Sequence, residues 1–137
     1  MVALIEAIAA LYNGSGALQA ALPGGLYDTR ADQDTSIYPY AVYVVSSSPV
    51  TSYFGGKGYS EHLVEFKVTG EDSIVVGTAI EALHNVLRDQ ILVLSNGQNV
   101  NVYPVTWPKP LPVPDGVNEN GKDLRAWISS YLYVVRA

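Results

Sequence analysis

Apolar residues recur every three or four positions in two stretches of the chain, which is the spacing of one helix face. The first stretch consists of Val2, Ile5, Ile8 and Leu11. It predicts a helix that ends at Asn13-Gly14, with a further turn or two between Ala17 and the stop at Pro23. The second stretch consists of Val76, Ile80, Leu83 and Leu87. The N-cap residues Asp72-Ser73 precede it, so we expect a second helix that closes near Arg88-Asp89.

Four other stretches are rich in β-branched and aromatic residues, which predicts strands. They run from Tyr38 to Ser46, from Tyr59 to Thr69, from Asn99 to Trp107 and from Leu124 to Arg136. In the second of these stretches, Val64, Phe66 and Val68 alternate with charged residues. This alternation predicts a strand with one face buried in the core and the other exposed to solvent. The order α-β-β-α-β-β predicts an α+β domain, with a mostly antiparallel four-stranded sheet and two helices on one face.

Two long connections separate the predicted strands. One, from Ser46 to Gly58, is rich in Ser and Gly, and the other, from Pro108 to Lys122, contains four prolines. Both are too long for tight turns and are expected to be exposed, and the second should be extended because of its prolines. Long loops in a small domain are often functional. At 137 residues, the chain is expected to form a single domain over 1–137.

The composition is poor in charge, because only 15% of the residues are charged while 48% are hydrophobic. A small domain normally exposes more charge, so we expect another subunit to cover part of this surface. The net charge of −5 gives no indication of a surface that binds nucleic acid. The absence of cysteine excludes disulfides and thiolate metal sites. No apolar run approaches 18 residues, and Glu6 interrupts the apolar N-terminus, so neither a membrane span nor a signal peptide is expected.

Three sets of residues are candidates for chemical sites. The loop Phe54-Gly55-Gly56-Lys57-Gly58 departs from a phosphate-binding loop, because Gly follows the lysine and a strand comes next. The carboxylates Asp28, Asp32 and Asp34 lack the spacing of a calcium loop, which favours a solvated connector. His62 and His84 lie on separate elements with no adjacent nucleophile, and both are interpreted as structural. We therefore expect neither an enzyme nor a bound metal or cofactor.

Aromatic residues concentrate in the predicted strands. Alternate residues of a strand lie on the same face of the sheet, so on the last strand Trp127, Tyr131 and Tyr133 share one face, or parity. The other parity consists of Ala126, Ile128, Leu132 and Val134. If the helices cover the second set, the aromatic set lies on the opposite face, where Tyr103 and Trp107 could join it as a binding surface. The alternative is a second core layer, or loops folded over the sheet.

The stretch Pro23-Gly24-Gly25-Leu26-Tyr27-Asp28 ends the N-terminal helical region, crosses an acidic connector and leads to the strand that begins Pro39-Tyr40-Ala41-Val42-Tyr43. This order resembles the opening of the tail completion proteins of long-tailed bacteriophages, which are also called tail terminator or head-tail joining proteins. The resemblance covers nearly the whole chain in element order and includes the aromatic strand from Trp127 to Val135.

The resemblance implies a structural virion protein, located at the head-tail junction and assembled in the host cytoplasm. It implies a homo-hexameric ring that caps the tail tube and joins it to the head connector, while DNA passes through the lumen without specific binding. No cofactor and no membrane are implied. The expected subunit or partner interface consists of Trp127, Tyr131, Tyr133, Tyr103, Trp107, Phe54, Lys57, Pro110, Pro112 and Pro114.

Two other functions fit the same residues. One is a small non-catalytic binding module whose aromatic sheet face holds a peptide or a sugar. The other is an accessory domain of an enzyme, without chemistry of its own. The size of the purified protein separates these hypotheses, because a ring subunit associates with itself or with its partners, whereas a binding module stays monomeric.

Overall fold

A computed structural model describes residues 2–29, 37–48, 59–88, 91–94, 97–118 and 120–136. These residues form three helices and six strands. The helices are α1 (Val2–Asn13), α2 (Gly16–Ala21) and α3 (Ser73–Leu87). The strands are β1 (Leu26–Asp28), β2 (Tyr40–Ser48), β3 (Tyr59–Gly70), β4 (Ile91–Val93), β5 (Asn99–Pro110) and β6 (Arg125–Arg136).

All six strands belong to one curled, half-barrel sheet, in the order β1-β2-β3-β6-β5-β4. β1 runs parallel to β2, and the other neighbouring pairs are antiparallel. The predicted four-stranded, mostly antiparallel sheet with two helices is therefore wrong, since the sheet is mixed and has six strands, with three helices. The two missed strands, β1 and β4, have three residues each, which is too short for alternation to be recognised.

Capping residues set the bounds of the helices. The Asp72 side chain accepts a hydrogen bond from the Ile74 amide at 2.9 Å, and this starts α3 where the sequence predicted it. Ser15 caps α2 in the same way, by accepting from the Leu18 amide at 3.3 Å. The second cap explains why the N-terminal region forms two separate helices instead of one helix with an extension.

The hydrophobic core lies between the helices and one face of the sheet, which we call the inner face. Val64, Phe66 and Val68 of β3 are fully buried there, as their alternation predicted. The helical side contributes Leu4, Ile8, Leu18, Val76, Ile80, Leu83 and Leu87. At Gly77 of α3, an added Cβ would lie 2.9 Å from the Trp127 ring, so glycine permits the close approach of α3 to β6.

The face assignment predicted for the last strand is inverted. In the antiparallel ladder Tyr131 lies opposite Val64, and directly opposed residues share a face of the sheet. Tyr131 and Tyr133 therefore point to the helices, and both are fully buried. The half-buried side chains of the opposite parity lie on the outer face; they are Ile128, Leu132 and Val134. The aromatic residues of this strand therefore belong to the core between the sheet and the helices, and not to a second core layer.

The connection after β5 packs on its own sheet. Because β5 continues to Pro110, the loop begins three residues later than predicted, at Leu111. Asp115 in the loop accepts hydrogen bonds from Lys67 Nζ at 2.6 Å and from Thr69 Oγ1 at 3.2 Å. The Leu111 amide also donates to the Ala126 carbonyl at 2.9 Å. The expectation of a wholly extended, solvent-facing loop is therefore wrong, because these contacts hold it against β3 and β6. Residues 49–58 of the other predicted connection lie outside the described residues.

Candidate interaction surfaces

The structure separates the residues that the sequence grouped as one interface. Tyr131 and Tyr133 are core residues, and Trp127 is half-buried against α3, where its Nε1 donates to Ser73 Oγ at 3.2 Å. Tyr103 and Trp107 are exposed, by 43% and 59%. The prolines Pro110, Pro112 and Pro114 are exposed at the end of β5 and in the following loop. Phe54 and Lys57 lie outside the described residues.

Of the two fully buried tyrosines of β6, Tyr131 makes a polar contact inside the core. The Tyr131 hydroxyl lies 2.7 Å from His84 Nδ1, and its ring meets Phe66 edge-on, with 5.7 Å between the ring centroids. Burial raises the pKa of Tyr131 to about 12, and burial also raises the pKa of Tyr133. Both tyrosines are therefore neutral in the folded subunit at physiological pH, and their position gives them a structural role.

A first exposed surface, which we call the Trp107 corner, forms where β5 meets the end of α3. Its lining consists of Glu81, His84, Asn85, Arg88, Trp107 and Pro108. Register shifts on β5 between Pro104 and Lys109 interrupt the alternation of the strand, so Trp107 reaches α3. Its ring centroid lies 4.5 Å from that of His84, and Arg88 Cζ lies 5.7 Å from it. An exposed indole held between a histidine and an arginine is typical of a binding hot spot.

A second surface, the α2–α3 groove, is lined by the small side chains Ala20, Ala21, Ala79 and Ala82 and the larger Tyr38, Pro39, Ile74 and Val75. Its volume is about 470 Å³. Ile74 is 79% exposed although it is apolar, and its neighbour Val75 is 49% exposed. Contiguous apolar exposure of this kind marks a contact surface. The sequence analysis did not identify this groove. The signal for it was present in the first turn of α3, where two apolar residues lie outside the buried stripe of the helix.

A third surface is the outer face of the sheet. The ladder places Leu63, Leu132 and Tyr103 side by side across three strands. Ile91 and Val93 of β4, each 66% exposed, extend the apolar character toward the edge of the sheet. The β5–β6 loop is hydrogen-bonded to one end of the sheet. There the Leu111 amide donates to the Ala126 carbonyl and the Thr69 hydroxyl donates to Asp115. The outer face thus offers a broad apolar area for contact with another protein.

The described part of the chain contains no metal-ligand cluster, because no three or more of its histidine, aspartate or glutamate side chains lie together as metal ligands would. None of the helices formed by these residues is long and apolar enough to cross a membrane. Asp32, Asp34 and the glycine-rich segment 54–58 lie outside the described residues. The surfaces described above offer contact area and charge, which suits binding of a protein.

Comparison with known proteins adds a fold relationship. No protein-family model matches the chain, and no curated protein matches it. A chain in the solved structure of the virion of a native gene transfer agent particle superposes with a TM-score of 0.74 at 16% sequence identity. The match covers 96% of this chain and 93% of that one. A second solved structure, whose name describes no function, gives a TM-score of 0.58 at 13% identity, over 99% of this chain and 92% of the other. Over nearly its whole length, this chain has the fold of a chain in that virion particle.

Proposed function

We propose that this protein is a structural component of a virion, and more specifically a ring-forming tail completion subunit. In this proposal it caps the tail tube and joins it to the head connector. The observation that carries the proposal is the match to a chain of a gene transfer agent virion, because it spans 96% of this chain and 93% of the other. The stretch Pro23–Asp28 and the strand entry at Pro39-Tyr40, which carry the sequence resemblance, point to the same class of protein.

The distribution of exposed apolar residues supports an assembled subunit. A ring subunit contacts two neighbours and also the rings above and below, so it needs several separate contact surfaces. The Trp107 corner, the α2–α3 groove and the outer sheet face are three such surfaces on one small domain. Few charges have to lose their hydration when these surfaces are covered, since only 15% of the residues are charged.

The remaining parts of the proposal follow from the ring. We propose that six copies surround a lumen through which DNA passes without specific contacts, at the head-tail junction of the particle. The net charge of −5 is consistent with a lumen that does not bind DNA tightly. The partners would be the tail tube protein and the head connector protein. The proposal assigns no catalytic step, cofactor or membrane contact to the subunit.

Electron microscopy of the purified protein, alone and mixed with assembled tail tubes, tests the proposal. We expect closed annular particles with six-fold symmetry, and tubes that carry one such ring at an end. Tubes without added protein are the control, and they should grow further when more tube subunit is supplied, whereas capped tubes should not. A protein that stays monomeric at high concentration and does not bind tubes or connectors would contradict the proposal.

The rival function, a monomeric binding module with an aromatic sheet face, has less support. Its binding face was to include Tyr131 and Tyr133, and both are buried in the core between the sheet and the helices. Of the aromatic residues named for that face, Tyr103 is exposed on the outer surface, where its hydroxyl accepts a hydrogen bond from Asn101 Nδ2 at 3.1 Å. One tyrosine among aliphatic neighbours is a poor sugar platform and a better match for a protein contact.

A further inference from the structure

We infer that prolines on the open edge of β5 prevent this strand from pairing with a strand of a second copy of the chain. A strand at the edge of a sheet carries backbone N–H and C=O groups without partners, and these groups can bind another strand. This role is independent of the proposed ring, because it concerns the sheet of each subunit and not the contacts between ring neighbours.

The edge of the sheet at β5 is open over most of the strand. β4 pairs only with the first three residues of β5, so residues 102–110 have β6 on one side and no strand on the other within the described part of the chain. The segment exposes the apolar side chains of Tyr103, Val105 and Trp107. Residues 100–107 carry no charge and are rich in residue types that favour strands. An exposed apolar edge of this kind is typical of a site for strand addition or aggregation.

The first proline of the segment, Pro104, lies where its nitrogen faces the open edge. The backbone groups of successive strand residues point alternately to the two sides of the strand. Just before β5, the Gln98 carbonyl accepts from the Leu94 amide, on the side of β4. The register is regular from Asn99 to Pro104, so every second residue after Gln98 faces this side. Pro104 is one of them, and the open edge lacks a donor there because proline has no N–H.

Two further prolines remove donors towards the end of the strand. The Leu111 amide donates to the Ala126 carbonyl of β6 at 2.9 Å, so the preceding residue, Pro110, faces away from β6. Pro108 lies in the second register shift of β5, where the ladder is already interrupted. Prolines in sheets occur on edge strands and at bulges, which is where these residues lie. The open edge therefore cannot donate the regular series of hydrogen bonds that a second strand would need.

The strand that these prolines exclude is the same edge of another copy. Every copy presents an identical apolar segment, and identical segments of high strand propensity and low charge pair readily with one another. A lysine on an edge strand can prevent such pairing, but in β5 the single lysine, Lys109, lies next to the last residue of the strand. The apolar part of the edge thus depends on its prolines and register shifts to stay unpaired.

Two double variants test the inference. The edge variant, Pro104→Thr with Pro110→Thr, restores two outward donors with a residue type that favours strands. The matched control, Pro112→Thr with Pro114→Thr, makes the same change at exposed positions of the β5–β6 loop, outside the strand and the outer sheet face. Both variants gain similar freedom in the unfolded chain, so that effect cancels in the comparison. Circular dichroism establishes that each variant is folded, and sedimentation velocity over a series of concentrations gives the size distribution beside that of the wild type.

We expect particles larger than any wild-type assembly to appear at a concentration at least about tenfold lower for the edge variant than for the wild type or the control. The reason is that each new N–H can bind a carbonyl of another copy. Hydrogen exchange should show protection of residues 102–110 in these particles. If the edge variant does not fold, Pro104→Thr and Pro110→Thr are compared singly with Pro112→Thr by the same measurements.

A folded edge variant with the size distribution of the wild type would overturn the inference. Equal aggregation of the edge variant and the control would overturn it as well, because the effect would then not depend on the edge. Both outcomes leave the proposed function standing, since the ring is tested with the wild-type protein. A wild type that forms no ring would in turn leave the role of the prolines standing.

Discussion

The neighbouring strands β5 and β6 both carry aromatic residues, but the fold uses them in opposite ways. On β6, Tyr131 and Tyr133 are buried in the core between the sheet and the helices. On β5, Tyr103 and Trp107 are exposed, one on the outer face and the other at the end of α3. The aromatic content of a strand therefore does not identify a binding surface. The side of the sheet that the helices cover decides which aromatic residues stabilise the subunit.

The same comparison separates stability from association. Tyr131 contacts Phe66 and His84, and Tyr133 is fully buried beside it in the core, so changes at either residue should alter the free energy of unfolding. The exposed β5 residues bury less area within the subunit and are available to a partner. Substitutions on the two strands test whether this division holds.

The largest effect is expected for Tyr131→Ala. It removes a fully buried ring, leaves a cavity beneath α3 and deletes the bond to His84, so the free energy of unfolding should fall by about 3–5 kcal/mol. Urea denaturation measures this change. The control is Tyr103→Ala on β5, for which we expect a loss of less than about 1 kcal/mol. A Tyr131→Ala protein of normal stability but weakened association would restore the exposed-face assignment made from the sequence.

A second prediction concerns stability at alkaline pH. Burial raises the pKa of Tyr43 and Tyr131 to about 12 and also raises that of Tyr133, while the unfolded chain ionises each near 10.0. Above pH 10 the unfolded state therefore holds fewer protons than the folded state, so stability falls as the pH rises from 10 towards 12. Urea denaturation at several pH values measures the slope. Tyr131→Phe should reduce it, and an unchanged slope would contradict the burial of that hydroxyl.

Much of the fold could be predicted because its long elements carry strong periodic signals. The buried stripe of α3 and its cap at Asp72 were read from spacing, as was the buried parity of β3. The short strands β1 and β4 could not be, since three residues contain barely one alternation. The sixth strand was located correctly, but both of its parities are rich in apolar residues, so the pattern could not decide which faced the helices.

The candidate surfaces were less predictable for a related reason. Trp107 was singled out by its residue type, yet its position at the end of α3 depends on the register shifts of β5, which leave no clear sequence pattern. The α2–α3 groove joins residues from Ala20 to Ala82 that only the tertiary structure brings together. An interface built from distant segments leaves no periodic pattern in the sequence. The low charge content therefore predicted that some surface is covered, but it could not predict which one.

A third prediction tests the connection between the two strands. Asp115 joins the loop to β3 through Lys67 and Thr69, and its side chain is 24% exposed. Asp115→Ala should lower the free energy of unfolding by about 1–2 kcal/mol, because partial exposure weakens the ion pair but the hydrogen bonds are lost. Asp123→Ala, at an exposed position of the same loop, is the control. Thermal unfolding compares the two, and equal values would show that the loop is not held by Asp115.

The smallest effect, and the sharpest test of the buried hydroxyls, is expected for Tyr133→Phe. Within the described residues the Tyr133 hydroxyl has no hydrogen-bond partner, although it is fully buried, whereas the Tyr131 hydroxyl bonds to His84. An unpaired buried hydroxyl loses its hydration on folding without compensation, so its removal should leave the free energy of unfolding unchanged or raise it by up to about 1 kcal/mol.

Tyr131→Phe is the matched comparison, and it should cost about 1–2 kcal/mol because it deletes a satisfied hydrogen bond. Both changes remove one oxygen from a fully buried ring, so the cavity term is nearly the same and the difference reports the hydrogen bond. Urea denaturation of the two variants at neutral pH measures that difference. If Tyr133→Phe destabilises the subunit as much as Tyr131→Phe does, the Tyr133 hydroxyl is hydrogen-bonded in the folded subunit and its assignment as an unpaired buried group is wrong.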